Sequence, residues 1–220
     1  MLAILSAIFL PVYAQTDDYK VIKGKQNETF TFPYQAANRD RNDPLVYTYE
    51  QPRGPSWILN IENKLEYVPR DGAKAVVILR EAAPSEKYIQ ISMWGDESKR
   101  YQIAINTPEL GHVIVYNKDE FGWNPDGTIA MGHANSQGLS SNDGTRIVLD
   151  RFEINGFSVS SIEVWGKEDP SELGNATGGH MTFFISFGSP ENTPTYYVPL
   201  ALAIAMGGIM VVLLKFKRRK

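Results

Sequence analysis

The chain of 220 residues contains no cysteine. That excludes disulfides, thiolate nucleophiles and cysteine-ligated metals together. An exported domain of this kind is held by packing alone, a usage that suits prokaryotic surface proteins better than animal ectodomains. Enzyme motifs are scarce too. There is no His-Glu-x-x-His, no phosphate loop and no dinucleotide fingerprint. Gly156-Phe157-Ser158-Val159-Ser160 fails the nucleophile elbow at its last position. The 25 acidic residues show no spacing that singles out a pair for glycoside hydrolysis. Basic charge is short wherever it is not clustered at the C-terminus. Of 22 basic residues, five lie in 215–220, and the remaining 17 face 25 acidic ones, a charge near −8. An acidic exterior argues against nucleic acid as a partner.

Long apolar runs are confined to the two ends. Residues 198–214 carry no charge, follow Tyr196 and Tyr197, and precede the basic cluster 215–220. This is the pattern of a single membrane-spanning helix with interfacial tyrosines and a cytoplasmic tail. Residues 1–14 are apolar, end in Val12-Tyr13-Ala14, and read as a secretory signal peptide that lacks the usual leading cation. The expected order is a signal peptide 1–14, an extracytoplasmic domain 15–188, a Pro/Thr stalk 189–197, a span 198–214 and a tail 215–220. The protein is then single-pass and type I, in the cell membrane, with its domain outside. The seven stalk residues 189–195 reach at most ~25 Å, which favours a membrane-proximal protein partner or an envelope glycan. Gly207-Gly208 offers a small-residue face for helix contact.

Between the ends the sequence alternates. Phe30 and Phe32 share a face, as do Trp57, Leu59 and Ile61; Ile89, Ile91 and Met93; Tyr101, Ile103 and Ile105; Val113 and Val115; and Met181, Phe183, Ile185 and Phe187. Period-2 runs of this kind are half-buried antiparallel strands. No amphipathic helix is apparent. About ten strands at this spacing give an all-β antiparallel sandwich, jelly-roll-like. Asn155-Gly156 marks a hairpin between 147–154 and 157–165. Two stretches echo each other: Asp71-Gly72 leads to Trp94-Gly95, and Asp143-Gly144 to Trp165-Gly166. They suggest equivalent units in the two sheets. Residues 118–142 read as one long irregular loop.

Candidate sites follow from this frame. Trp94 and Trp165 alternate against the core residues of their strands. With Trp123 they offer a flat aromatic surface for sugar or protein, the competing reading being plain core. Asp119, Glu120, Asn124 and Asp126 cluster in the long loop and suit Ca²⁺, against ordinary loop solvation. His133 next to Met131 suggests copper. Apart from Ca²⁺ no cofactor is expected. Asn27 and Asn175 open sequons. The reading is a non-enzymatic, membrane-anchored module that acts by binding, as an accessory subunit of a membrane complex or on an envelope glycan or protein. The alternative is a metal-dependent (Ca²⁺ or Cu) surface protein or enzyme centred on 118–142.

Overall fold

The computed structural model describes residues 27–135 and 137–187. The segments 1–14, 189–197, 198–214 and 215–220, with Gly207 and Gly208, lie outside the described residues. No helix among the described residues is long and apolar enough to cross a membrane.

The elements in chain order are β1 Asn27–Pro33, a 3-10 turn Tyr34–Asn38, β2 Leu45–Arg53, β3 Trp57–Asn63, β4 Glu66–Tyr67, β5 Lys74–Arg80, β6 Tyr88–Trp94 and β7 Tyr101–Thr107. There follow β8 Gly111–Lys118, β9 Ile129–Ala134, β10 Gly138–Asn142, β11 Ile147–Phe152, β12 Val159–Trp165, β13 Ala176–Gly178 and β14 His180–Phe187. Sheet I has the order β1-β14-β3-β9-β10-β11 and sheet II the order β2-β12-β5-β6-β7-β8. A small ribbon pairs β4 with β13. All strand pairings in these sheets are antiparallel. This is the all-β, jelly-roll-like sandwich that the alternation implies.

The core lies between the sheets because alternate side chains point there. Leu59, Ile61, Phe183 and Ile185 come from sheet I, and Val77, Leu79, Ile91 and Ile103 from sheet II, all fully buried. Phe30 stacks on Tyr47 across the layers at 3.9 Å between centroids and on Phe183 at 5.3 Å. The Tyr47 hydroxyl donates to Glu28 Oε2 at 2.6 Å, so this buried carboxylate is held. Trp57, at 2 % exposure, donates its Nε1–H to the Phe157 carbonyl at 3.1 Å.

Three expectations are corrected. The stretch 118–142 is not one loop, because it contains β9 and β10. Small residues such as Ala130, Gly132 and Ser140 on their outward positions hide the alternation. Asn155-Gly156 does not close a hairpin: β11 belongs to sheet I and β12 to sheet II, so the turn carries the chain between layers. Gly156 still takes a positive φ of 48°, the conformation that the dipeptide favours. The echoed stretches are not equivalent units either. The first is the β5–β6 pair within sheet II, whereas the second is split between the sheets.

Candidate functional site

The outer face of sheet II carries the densest chemistry. Reading across the registers gives three rows. Ser161, Arg80, Tyr88, Asn106 and His112 form the first; Glu163, Ile78, Gln90, Ala104 and Ile114 the second; Trp165, Val76, Ser92, Gln102 and Asn117 the third. Lys74 and Trp94 pair at the end of β5 and β6. Six strands at ~4.8 Å spacing make this face ~24 Å wide. Val76, Ile78 and Trp165 form a second apolar cluster here, separate from the core, with Tyr88 packed against it.

Cations lie over the rings of this face. Lys74 Nζ sits 5.7 Å from the Trp94 ring centroid and 5.5 Å from that of Trp165. The Arg100 guanidinium is 4.7 Å from Trp94, and that of Arg80 is 5.3 Å from Tyr88. Each cation also holds a carboxylate: Arg80 to Glu163 at 2.5 Å, Lys74 to Glu168 at 2.5 Å, Arg100 to Asp96 at 3.2 Å. The Tyr88 hydroxyl lies 2.9 Å from His112 Nδ1. The two echoed tryptophans therefore meet in one sheet, on either side of β5, through Lys74.

Beyond Trp94 the face runs into a hollow of about 610 Å³. Asp71, Asp96, Glu97, Ser98, Arg100, Glu120 and Phe121 line it. Asp96 joins its walls. One oxygen accepts from the Ser98 hydroxyl, and the other from the Gly72 amide and Arg100. Burial alone would raise the Asp96 pKa, but these hydrogen bonds outweigh it and hold the carboxyl below its ordinary 3.8. Phe121 stands at the rim with φ 50° and 77 % of its surface exposed. Its amide donates to the Ser98 carbonyl at 2.5 Å, and the next amide, of Gly122, to that of Lys99 at 2.9 Å. Phe121 combines a positive φ, strained for a non-glycine residue, with an exposed apolar ring, two features that cluster at functional sites.

The sites expected from sequence are only partly brought together. Trp94 and Trp165 share the outer face, but Trp165 is 5 % exposed and Trp94 half-buried. Trp123 sits in the main core, donating Nε1–H to the Trp94 carbonyl at 2.8 Å, so it props the site from beneath. His133 is also buried, with both ring nitrogens against backbone carbonyls, of Pro55 and of Ile154, and is closed to copper. Of the loop acids only Glu120 reaches the hollow. Asp119 accepts from Asn117, while Asn124 caps the Asp126 amide and bonds Thr145. No group of three or more His, Asp or Glu among the described residues is placed to hold a metal ion. Asn27 is exposed at the start of β1. Asn175 is 1 % exposed and its amide donates to the Lys74 and Gly166 carbonyls, which leaves no place for a glycan.

Arg80, Lys74, Glu163, Tyr88 and Phe121 were missed in the sequence. The i, i+2 series Tyr88, Gln90, Ser92, Trp94 is a signal that marks the outer face; the partners on β5 and β12 carry none, because pairing across strands is not written in spacing.

No protein-family model and no curated protein matches the chain. Solved structures of similar shape exist. One is a native glycosidic hydrolase, at 11% identity and a TM-score of 0.46, covering 77% of this chain and 82% of that one. Another is a β-glucanase of Bacillus licheniformis, at 12% identity and 0.43, covering 70% and 83%. A third is a glycoside hydrolase family 16 endo-glucanase of Bacteroides ovatus, at 14% and 0.39, covering 78% and 98%. These chains bear the names of hydrolases, whereas the sequence suggested a non-enzymatic module that acts by binding. At these identities and scores the likeness transfers no residue's role.

Proposed function

We propose that the chain is a carbohydrate-active enzyme that cleaves a polysaccharide laid along the outer face of sheet II and into the hollow at its end. The observation that carries this reading is the continuity of a strip of half-buried rings on β6, Tyr88 and Trp94, with a hollow lined by Asp71, Asp96, Glu97 and Glu120; Arg100, in the wall of the hollow, lies 4.7 Å from Trp94, and Trp165 packs buried beside them. Sugar rings stack on aromatic side chains, and glycosidic bonds are cleaved by paired carboxyl groups. The three hydrolases of similar shape bear names of the same chemistry. Phe121 is the rim platform on which one sugar ring rests.

The test is release of new reducing ends from a panel of neutral and anionic polysaccharides. Release is expected from at least one. Phe121→Ala should weaken that substrate about tenfold in KM, equivalent to ~1.4 kcal/mol, without lowering the melting temperature. A panel on which the purified protein releases nothing overturns the reading.

The reading also puts the enzyme at the cell surface, held by the apolar run 198–214 with the cations 215–220 inside. Protease added to intact cells is expected to remove the domain and leave a small membrane-bound fragment. Full protection of the domain refutes that location.

A further inference from the structure

We infer that Glu163 and Glu168 are specificity-determining residues that make the strip select uncharged polysaccharide and reject polyanions. This rests on the reading of sheet II as the substrate face. The face holds three cations over aromatic rings, Arg80, Lys74 and Arg100. Left unpaired, such a row attracts the carboxylates of a uronate polymer. Here each cation already holds a carboxylate of the chain at 2.5, 2.5 and 3.2 Å. The pairs are partly withdrawn from water: the side chains of Glu163, Lys74 and Asp96 are 13 %, 16 % and 9 % exposed. Screening by solvent is therefore weak at one partner of every pair.

A polyanionic chain meets two obstacles on this surface. Its carboxylates have to displace Glu163 from Arg80, or Glu168 from Lys74, and the displaced acid then faces a like charge. Glu168 is shared further with Arg41 at 3.7 Å, which ties it in place. A neutral sugar meets neither obstacle. It finds rings, half-buried amides such as Gln90 and Asn106, and cations whose charge is cancelled locally. Like-charge juxtaposition of this sort is how an interface rejects a wrong ligand. Asp96 belongs to the walls of the hollow and stays outside the test.

The experiment compares binding of neutral β-glucan and polygalacturonate by the full chain, at low and high salt, for the wild type and two variants. Glu168→Gln alters a half-exposed side chain, so its fold is least disturbed. Glu163→Gln with Glu168→Gln frees both cations. The wild type is expected to prefer neutral polysaccharide with little salt dependence. The double variant should gain about tenfold or more in affinity for polygalacturonate, a gain that high salt abolishes, and Glu168→Gln alone part of it. A wild type that binds polygalacturonate more tightly than neutral polysaccharide overturns the inference and leaves the proposed function standing. Variants that keep their melting temperature and gain nothing for polygalacturonate overturn it as well. A wild type that binds no polysaccharide of either kind removes the substrate face itself, and both readings fall together.

Discussion

Gly166→Ala is expected to destabilise the domain by about 3 kcal/mol or more, enough to lower its melting temperature by roughly 6–12 °C. A Cβ at this position falls 2.1 Å from the Ala37 carbonyl oxygen and 2.6 Å from that of Lys74. Both are backbone atoms, and the Lys74 carbonyl is held by the Asn175 amide, so no side chain is free to swing aside. The glycine also binds in both directions, its amide to Arg39 and its carbonyl to Asn175. Gly95→Ala meets the Tyr67 ring at 1.8 Å, and that ring is held by Asn63 through its hydroxyl. Gly54→Ala serves as the control, with no atom within 4 Å, and should stay within ~0.5 kcal/mol of wild type. Thermal melting followed by circular dichroism reads all three. Equal melting of the Gly166→Ala and Gly54→Ala proteins contradicts the packing described for the ends of β6 and β12.

The two Trp-Gly pairs illustrate what the sequence discloses. Their likeness is visible in the letters, and so is the direction of each tryptophan, because Met93 and Val164 alternate against them into the core. Where the pairs meet is not visible. Trp94 and Trp165 converge only because β12 lies beside β5 in sheet II, a contact between segments about 80 residues apart. The strands with large inward residues, such as β1, β3, β6, β7 and β14, were legible for the same reason: alternation of Phe, Ile and Leu is a local signal. β9 and β10 were not, since Gly132, Ser140 and Ser141 carry no hydrophobic contrast. The site divides along the same line. The aromatic residues were legible from strand periodicity, but the ion pairs Arg80–Glu163 and Lys74–Glu168 span 83 and 94 residues and depend wholly on topology. His133 misled because a histidine in a polar-looking stretch reads as exposed until β9 carries it inside. Asn175 misled similarly, as its sequon is a three-residue pattern with no information about burial.

Two of the three substitutions Asp71→Asn, Glu97→Gln and Glu120→Gln are expected to lower turnover on the identified polysaccharide by about 10² or more each, with KM little changed. Cleavage of a glycosidic bond needs one carboxyl group to donate a proton and a second to act as base or nucleophile. Asp96 cannot be the donor. Its oxygens are taken by Ser98, the Gly72 amide and Arg100, and these bonds keep it ionised below the ordinary carboxylate range. Its part is to tie the 71–72 turn to the 96–100 turn, so Asp96→Asn should show mainly as lost stability. The sign follows from the depressed pKa: Asp96 contributes stability above its unfolded pKa, and that contribution is lost as pH falls through the lower folded value. Asp71, Glu97 and Glu120 differ from it. They are exposed and make no side-chain hydrogen bond or ion pair among the described residues, so their carboxyl groups are open to a bound sugar. Glu97 and Glu120 neighbour Ser98 and Phe121 in the chain, and the Phe121 amide bonds the Ser98 carbonyl, so both acids line the one hollow with the Phe121 ring. Initial rates at saturating and limiting substrate separate turnover from KM. If polysaccharide is cleaved and all three variants keep more than about a tenth of wild-type turnover, the chemistry lies outside the hollow, and the strip alone is left as the place where the glycan is held.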